Sequence, residues 1–290
     1  MPAFKRIAIH TLLAIITPAI AWADQAERYQ LKYKLRAGEM VVTRVVHQSH
    51  TQTAIAGEDQ DSSSQTSSVK TWQVQSVDPS GNMTFVYSID NVQMQQSIGD
   101  ETQAYDSQTD AQVPEVFKNV AQSVNVPLAT ITISPSGEVV ARDKEFRCPL
   151  LGIGDITIAL PKEPLSIGAQ WHVPRELHVR LDNGSYKTIK VRELYSLEKV
   201  SAGVATISLM TQPLTPVNDP AIEAQLVQQL SKGTIKFDID SGRLISKRLD
   251  WSEHVLGFRG AESSMRYDAT WTEELVPSSA RTANRGKMSR

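Results

Sequence analysis

A chain of 290 residues with a formal net charge of −2 and a pI of about 6.3 is balanced, which removes the concentrated basic face expected of a nucleic-acid binder. Its one cysteine, Cys148, excludes an internal disulfide, so the fold must be held by its own core, and the length suffices for one. Cys148 lies in Phe146-Arg-Cys-Pro-Leu150 with no identifiable basic partner, and reads as a buried thiol, not a nucleophile.

In chain order, the N-terminus comes first. Lys5 and Arg6 form a basic start, Ile7 to Ile20 is an apolar run broken by four residues, and Ala21-Trp22-Ala23 sets small residues just before Asp24. The run falls short of the ~20 residues that span a bilayer. Residues 1–23 are therefore expected to be a cleaved signal peptide, with the mature chain exported to the periplasm or secreted and no transmembrane segment left after cleavage.

Tyr29, Leu31, Tyr33 and Leu35 alternate with polar residues, as a half-buried strand does, and Val41 to Val46 continues in strand-forming residues. From His50 to Ser68 the chain is rich in Ser, Thr, Gln and Asp, and is expected to be a long mobile hairpin tip. Trp72 and Val74 lead to an Asp78-Pro-Ser-Gly81 turn, after which Met83, Phe85, Tyr87 and Ile89 give the clearest strand. Residues 97–112 read as a second polar insertion. Pro114 to Val124 has a helical apolar face in Val116, Phe117, Val120 and Val124. Leu177, Val179 and Leu181 lead to Asp182-Asn183-Gly184, a hairpin signal because Asn and Gly accept positive φ. Asp219-Pro220 is a helix start, with a capping acceptor followed by proline at the first helical position. Met265, Tyr267, Ala269 and Trp271 alternate in a last strand.

The two halves repeat these elements in one order. Leu35-Arg-Ala-Gly38, a hairpin at Gly81, the helix from Pro114 and Ser134-Pro-Ser-Gly137 match Leu165-Ser-Ile-Gly168, a hairpin at Gly203, the helix from Pro220 and Asp240-Ser-Gly242. The expectation is a β-dominated α+β fold: two duplicated units of curved antiparallel sheet, each with one short helix, forming two sheets or one continuous sheet. Residues 24–145 would be unit 1, 146–164 a linker and 165–276 unit 2. Residues 277–290 would be a disordered basic tail carrying Arg281, Arg285, Lys287 and Arg290, suited to weak contact with an anionic surface.

No motif carries chemistry. His47 and His50 are expected on opposite faces of a strand, and His172 and His178 share a face only if a strand runs through Pro174. Asp238-Ile-Asp240-Ser-Gly242 lacks the spacing of a calcium loop and reads as a hairpin turn. No zinc spacing, serine elbow or phosphate-binding glycine loop is present. Catalytic, cofactor-binding and metal-ligating residues are all assigned as none, and no cofactor is expected. Trp72, Trp171, Trp251 and Trp271 are core candidates, or a cluster for sugar rings or an acyl chain if they share a groove.

The signal peptide, the Leu35-x-x-Gly38-Glu39 opening, the Trp72 strand with its Asp78-Pro-Ser-Gly81 turn and the Ser134-Pro-Ser-Gly-Glu138 segment together resemble a group of secreted bacterial β-rich proteins classed only as a domain of unknown function. That resemblance implies an exported β-rich protein and no catalytic residue. At the level of fold, a curved antiparallel sheet with covering helices is similar to the half-barrels of periplasmic lipoprotein carriers. The leading expectation is a non-catalytic envelope protein acting as an interaction or binding module for an envelope protein partner. The alternatives are a carrier of a lipid or other apolar ligand, held in a cavity of ~300–1,000 Å³ between sheet and helices, and a hydrolase whose active-site residues are dispersed in sequence.

Overall fold

The computed structural model describes residues 27–143 and 157–277. The expected signal peptide, Cys148 and the basic tail after Pro277 lie outside them.

Twelve strands form one antiparallel sheet. They are β1 (Met40–Ile55), β2 (Glu58–Val77), β3 (Met83–Ile98), β4 (Glu101–Asp106), β5 (Pro127–Ile133), β6 (Val139–Arg142), β7 (Gln170–Arg180), β8 (Tyr186–Ser201), β9 (Val204–Pro213), β10 (Lys232–Asp238), β11 (Arg243–Leu256) and β12 (Ser264–Leu275). The spatial order is β6-β5-β3-β2-β1-β12-β11-β10-β9-β8-β7, with β4 paired to β3. A turn of 3-10 helix at Glu115–Phe117 runs into α1 (Lys118–Ala121), and α2 (Pro220–Leu226) runs into a 3-10 turn at Val227–Gln229. The first half thus runs β1–β4, α1, β5 and β6, and the second β7–β9, α2, β10 and β11, with β12 placed between β1 and β11. Of the two arrangements expected, the single continuous sheet is the one formed. No helix among the described residues is long and apolar enough to cross a membrane.

The sheet is curled. Met83, Phe85, Ile131 and Ile133 from one wing share a buried cluster with Tyr195, Leu197, Ile207 and Phe237 from the other. The N-terminal segment is clasped between the wings: Leu31, Tyr33 and Leu35 are buried in the same cluster, and Tyr33 meets Phe237 edge-on at 5.4 Å. Its backbone is held by the corresponding turn of each half, Tyr33 N–H donating to Pro135 and Lys34 N–H to Gly242.

Three expectations change. His50 to Ser68 is not a mobile tip: β1 and β2 stay paired to Ile55 and Glu58 around an Ala56-Gly57 turn in which both residues have positive φ. Residues 97–112 contain β4. Strand β7 does run through Pro174, which is tolerated because β7 is the edge of the sheet, where a missing N–H leaves no ladder partner unsatisfied. At the predicted helix start, the Asp219 side chain accepts Ala221 N–H at 2.9 Å with Pro220 in the first turn.

Candidate functional site

Strand register places the concave side chains in rows, because pleating sends alternate residues to one face. Across β3, β2, β1, β12 and β11, one row is Val92, Ser68, Val45, Glu273 and Lys247. The next is Met94, Thr66, His47, Trp271 and Leu249, followed by Gln96, Ser64, Ser49, Ala269 and Trp251, and then Ile98, Ser62, Thr51, Tyr267 and Glu253.

The helices cover the two sides of this face. Phe117 and Val120 pack on Val92 and Tyr105 along β3 and β4. At the other side Ile222 and Leu226 pack on Val179, Ile189 and Val191, and Val227 packs on Val255, Tyr267 and Ala269. Helix and sheet side chains thus meet in apolar clusters at both interfaces. Between them the concave residues of β1 and β2 from His47 to Thr51 and Ser62 to Thr66 join no apolar cluster, yet they are half-buried by the curl. This middle lane has a floor of hydroxyls, with Ser49 and Ser64 Oγ atoms 3.2 Å apart, and flanks of Met94, Tyr267, Met265 and Trp251. From Trp271 to Met265 it runs roughly 20 Å at ~3.4 Å per residue.

The polar groups of the lane are incompletely partnered. Trp251 Nε1 is buried without a hydrogen-bond partner among the described residues. His47 meets the Trp251 ring edge-on at 6.3 Å, and burial lowers its pKa, which keeps the imidazole neutral at neutral pH. At the closed end stand Thr43, Lys70, Lys247 and Glu273, each under a tenth exposed. Thr43 Oγ1 donates to Glu273 Oε1 at 2.8 Å. Lys70 and Lys247 reach from strands on opposite sides of Trp271 and place Nζ 5.5 and 5.2 Å from its ring centroid. Burial holds the Tyr33 phenol far above its usual pKa; the Ile158 N–H that it accepts pulls it down, and the Glu273 carboxylate pushes it up.

Lys247 faces Glu273 in register, and among the described residues the ring of Trp271 is the contact its ammonium makes. A cation–π contact of this kind contributes about 0.5–2 kcal/mol.

The residues singled out in sequence are dispersed. His47 lies on the concave face and His50 on the convex face, where it pairs with Asp61 at 2.7 Å. His172 and His178 lie six residues apart on edge strand β7, roughly 20 Å at ~3.3 Å per residue, too far to share a ligand. Asp238 forms the expected turn, accepting Ser241 N–H at 2.9 Å, and its pKa is lowered chiefly by that bond. Trp72 stacks on Phe85 and Trp171 on Tyr195, as core residues do, while Trp251 and Trp271 border the lane. Lys247 went unnoticed in sequence, although its spacing of two from Leu249 and four from Trp251 puts a lysine on an apolar face.

Two depressions carry charged residues at their linings. One of about 580 Å³ is lined by Lys34, Arg36, Glu39, Asp240, Ser241 and Arg243, with Arg243 paired to Glu39 at 2.7 Å. The second, about 370 Å³, lies between β1, β12 and β11 and includes His50, Asp250 and Asp268.

No family model matches the chain, and no curated protein matches it. Among solved structures, a chain from a study of lipid–protein interactions in lipovitellin is similar at a TM-score of 0.45 and 10% identity; the match covers 84% of this chain and 26% of that one. The present chain thus spans about a quarter of that protein's length. The translocator domain of the autotransporter NalP from Neisseria meningitidis is similar at a TM-score of 0.29 and 7% identity, over 84% of this chain and 90% of that domain.

Proposed function

We propose that this chain is an exported, non-catalytic binding protein that holds an amphipathic ligand along the middle lane of its concave face. The export signal in residues 1–23 supports the envelope location. One observation carries the binding reading: a half-buried lane on β1 and β2 that joins no apolar cluster, with Trp251 Nε1 buried beside it and without an acceptor among the described residues. Polar groups sealed from water are normally satisfied, and a ligand is what supplies the missing contact here. Apolar and aromatic flanks over a hydroxyl floor fit a lipid-like chain with polar substituents better than a plain hydrocarbon.

The test is native mass spectrometry of the protein recovered from a bacterial periplasm, before and after solvent extraction. The wild type is expected to carry an extractable mass, and Ser64→Trp, which fills the lane, to lose it. A bare wild-type mass, or an adduct that survives in the filled variant, would overturn the assignment.

A further inference from the structure

Just before β1, the N-terminal segment crosses the turn between β10 and β11, and the larger charged depression opens there, about 580 Å³ in volume. We propose that this depression is a binding site for an oxyanion, a phosphate or carboxylate group, seated by Lys34, Arg36 and Arg243. It is separate from the lane and does not depend on the lane binding anything.

Leu31, Tyr33 and Leu35 are buried while Lys34 and Arg36 are exposed, so the two cations stand together on the outer side of the segment. Lys34 Nζ donates to the Ile239 and Asp240 carbonyls at 2.7 and 3.3 Å. Those dipoles fix the ammonium at the cavity wall without cancelling its charge. The Arg36 guanidinium meets no carboxylate within ion-pair distance among the described residues. Arg243 is held at one corner, with Nη1 2.7 Å from Glu39 Oε1, while its Nε is buried without an acceptor among the described residues. A guanidinium is a planar fork of five N–H donors that matches an oxyanion through two of them at once, and the edge that includes Nε is unused. The neighbouring carboxylates are engaged elsewhere. Glu39 takes Arg243 with Oε1 and the Arg36 backbone N–H with Oε2 at 3.0 Å. Asp240 lies against the turn between β8 and β9, where a Cβ on Gly203 would come within 2.7 Å of its Oδ2. Asp238, within electrostatic reach of Arg243, accepts the Ser241 N–H at 2.9 Å. The lining thus holds three cations and two carboxylates, an excess that one anion offsets. Its volume is in the range of small-molecule pockets and exceeds what a bare phosphate fills, so the oxyanion belongs to a small solute or to a lipid headgroup.

The experiment titrates inorganic phosphate and succinate into the full-length purified protein, with sodium chloride at matched ionic strength as control, and follows heat and Tm. Flotation with vesicles of phosphatidylglycerol or phosphatidylcholine tests the lipid source. Phosphate or succinate is expected to bind saturably and to raise Tm above the chloride control. Arg36→Gln and Arg243→Gln should each weaken that binding about 10-fold or more, the scale of losing one charged partner. Ser64→Trp, which fills the lane, should leave it unchanged; loss of anion binding in that variant would put the anion in the lane and overturn this site. Binding that both glutamine variants retain in full overturns it too, as does a chloride control that reproduces the whole effect. Binding to phosphatidylglycerol vesicles alone, lost in Arg36→Gln, makes the oxyanion a lipid headgroup and supports the site. Binding to none of the four probes overturns it. Should Arg243→Gln melt far below the wild type, Arg243→Lys serves instead, since it keeps the charge and removes the fork: weakened binding with the fold intact supports the seat, and undiminished binding counts against it.

Discussion

Two glycines show how narrowly this fold is specified at single positions. Gly137 and Gly242 occupy corresponding Ser-Gly turns, both with positive φ, and both lie against the N-terminal segment. A Cβ at Gly137 would press on the Ile158 carbonyl and come within 2.8 Å of the Tyr33 ring, while one at Gly242 would come within 2.5 Å of Lys34. Gly184 has a positive φ as well, but a Cβ there meets nothing. Alanine at Gly184 should therefore cost about 1–2 kcal/mol from backbone strain alone. At Gly137 or Gly242 the cost should rise to about 2–5 kcal/mol, since overpacking adds to the strain; urea unfolding of the three variants distinguishes them. These turns were legible because Ser-Gly after an alternating strand is a local signal. Their second role, giving way to residues 31–35, was not, because nothing local records which distant chain lies above a turn.

Among the elements, α2 shows what short helices need. Seven residues do not hold a helix alone in water, so α2 depends on its Asp219 cap and on burying Ile222 and Leu226 against the sheet. Asp219→Ala should cost about 1 kcal/mol and Leu226→Ala about 2–5 kcal/mol, both read from the denaturation midpoint. The cap and the first-turn proline were plain in sequence. The outer halves of β1 and β2 were not, for a physical reason. A strand is recognised when one of its faces is apolar, and here the concave face bears Ser49, Thr51, Ser62, Ser64 and Thr66. The stretch that looked like loop is the floor of the candidate site, where protein packing stops and the pattern that packing imposes stops with it. The glycine and proline turns, the apolar strands and the antiparallel class were readable; the lane, its polar floor and the two lysines against Trp271 depend on register between strands distant in sequence.

For the molecule as a whole, one sheet and one main core join the two halves. Leu197 and Phe237 share their cluster with Phe85 and Ile133, so neither wing buries its apolar face without the other. A single coincident transition is expected by tryptophan fluorescence and far-ultraviolet circular dichroism, and residues 24–145 expressed alone should be protease-sensitive; two resolved transitions would contradict this. The convex face carries Arg44, Gln48, Arg248, Asp250, Arg266 and Asp268, side chains that membrane hydrocarbon would penalise. The clasped N-terminal segment also sets a timetable. Lys34 Nζ donates to the Ile239 carbonyl, a partner 205 positions further along the chain, and Thr43 pairs with Leu275. Closing contacts of that separation is slow, because a large loop must be ordered before any reward arrives. The first folded segment waits for nearly the last described strand, so a chain emerging from its N-terminus stays open until β12 has emerged.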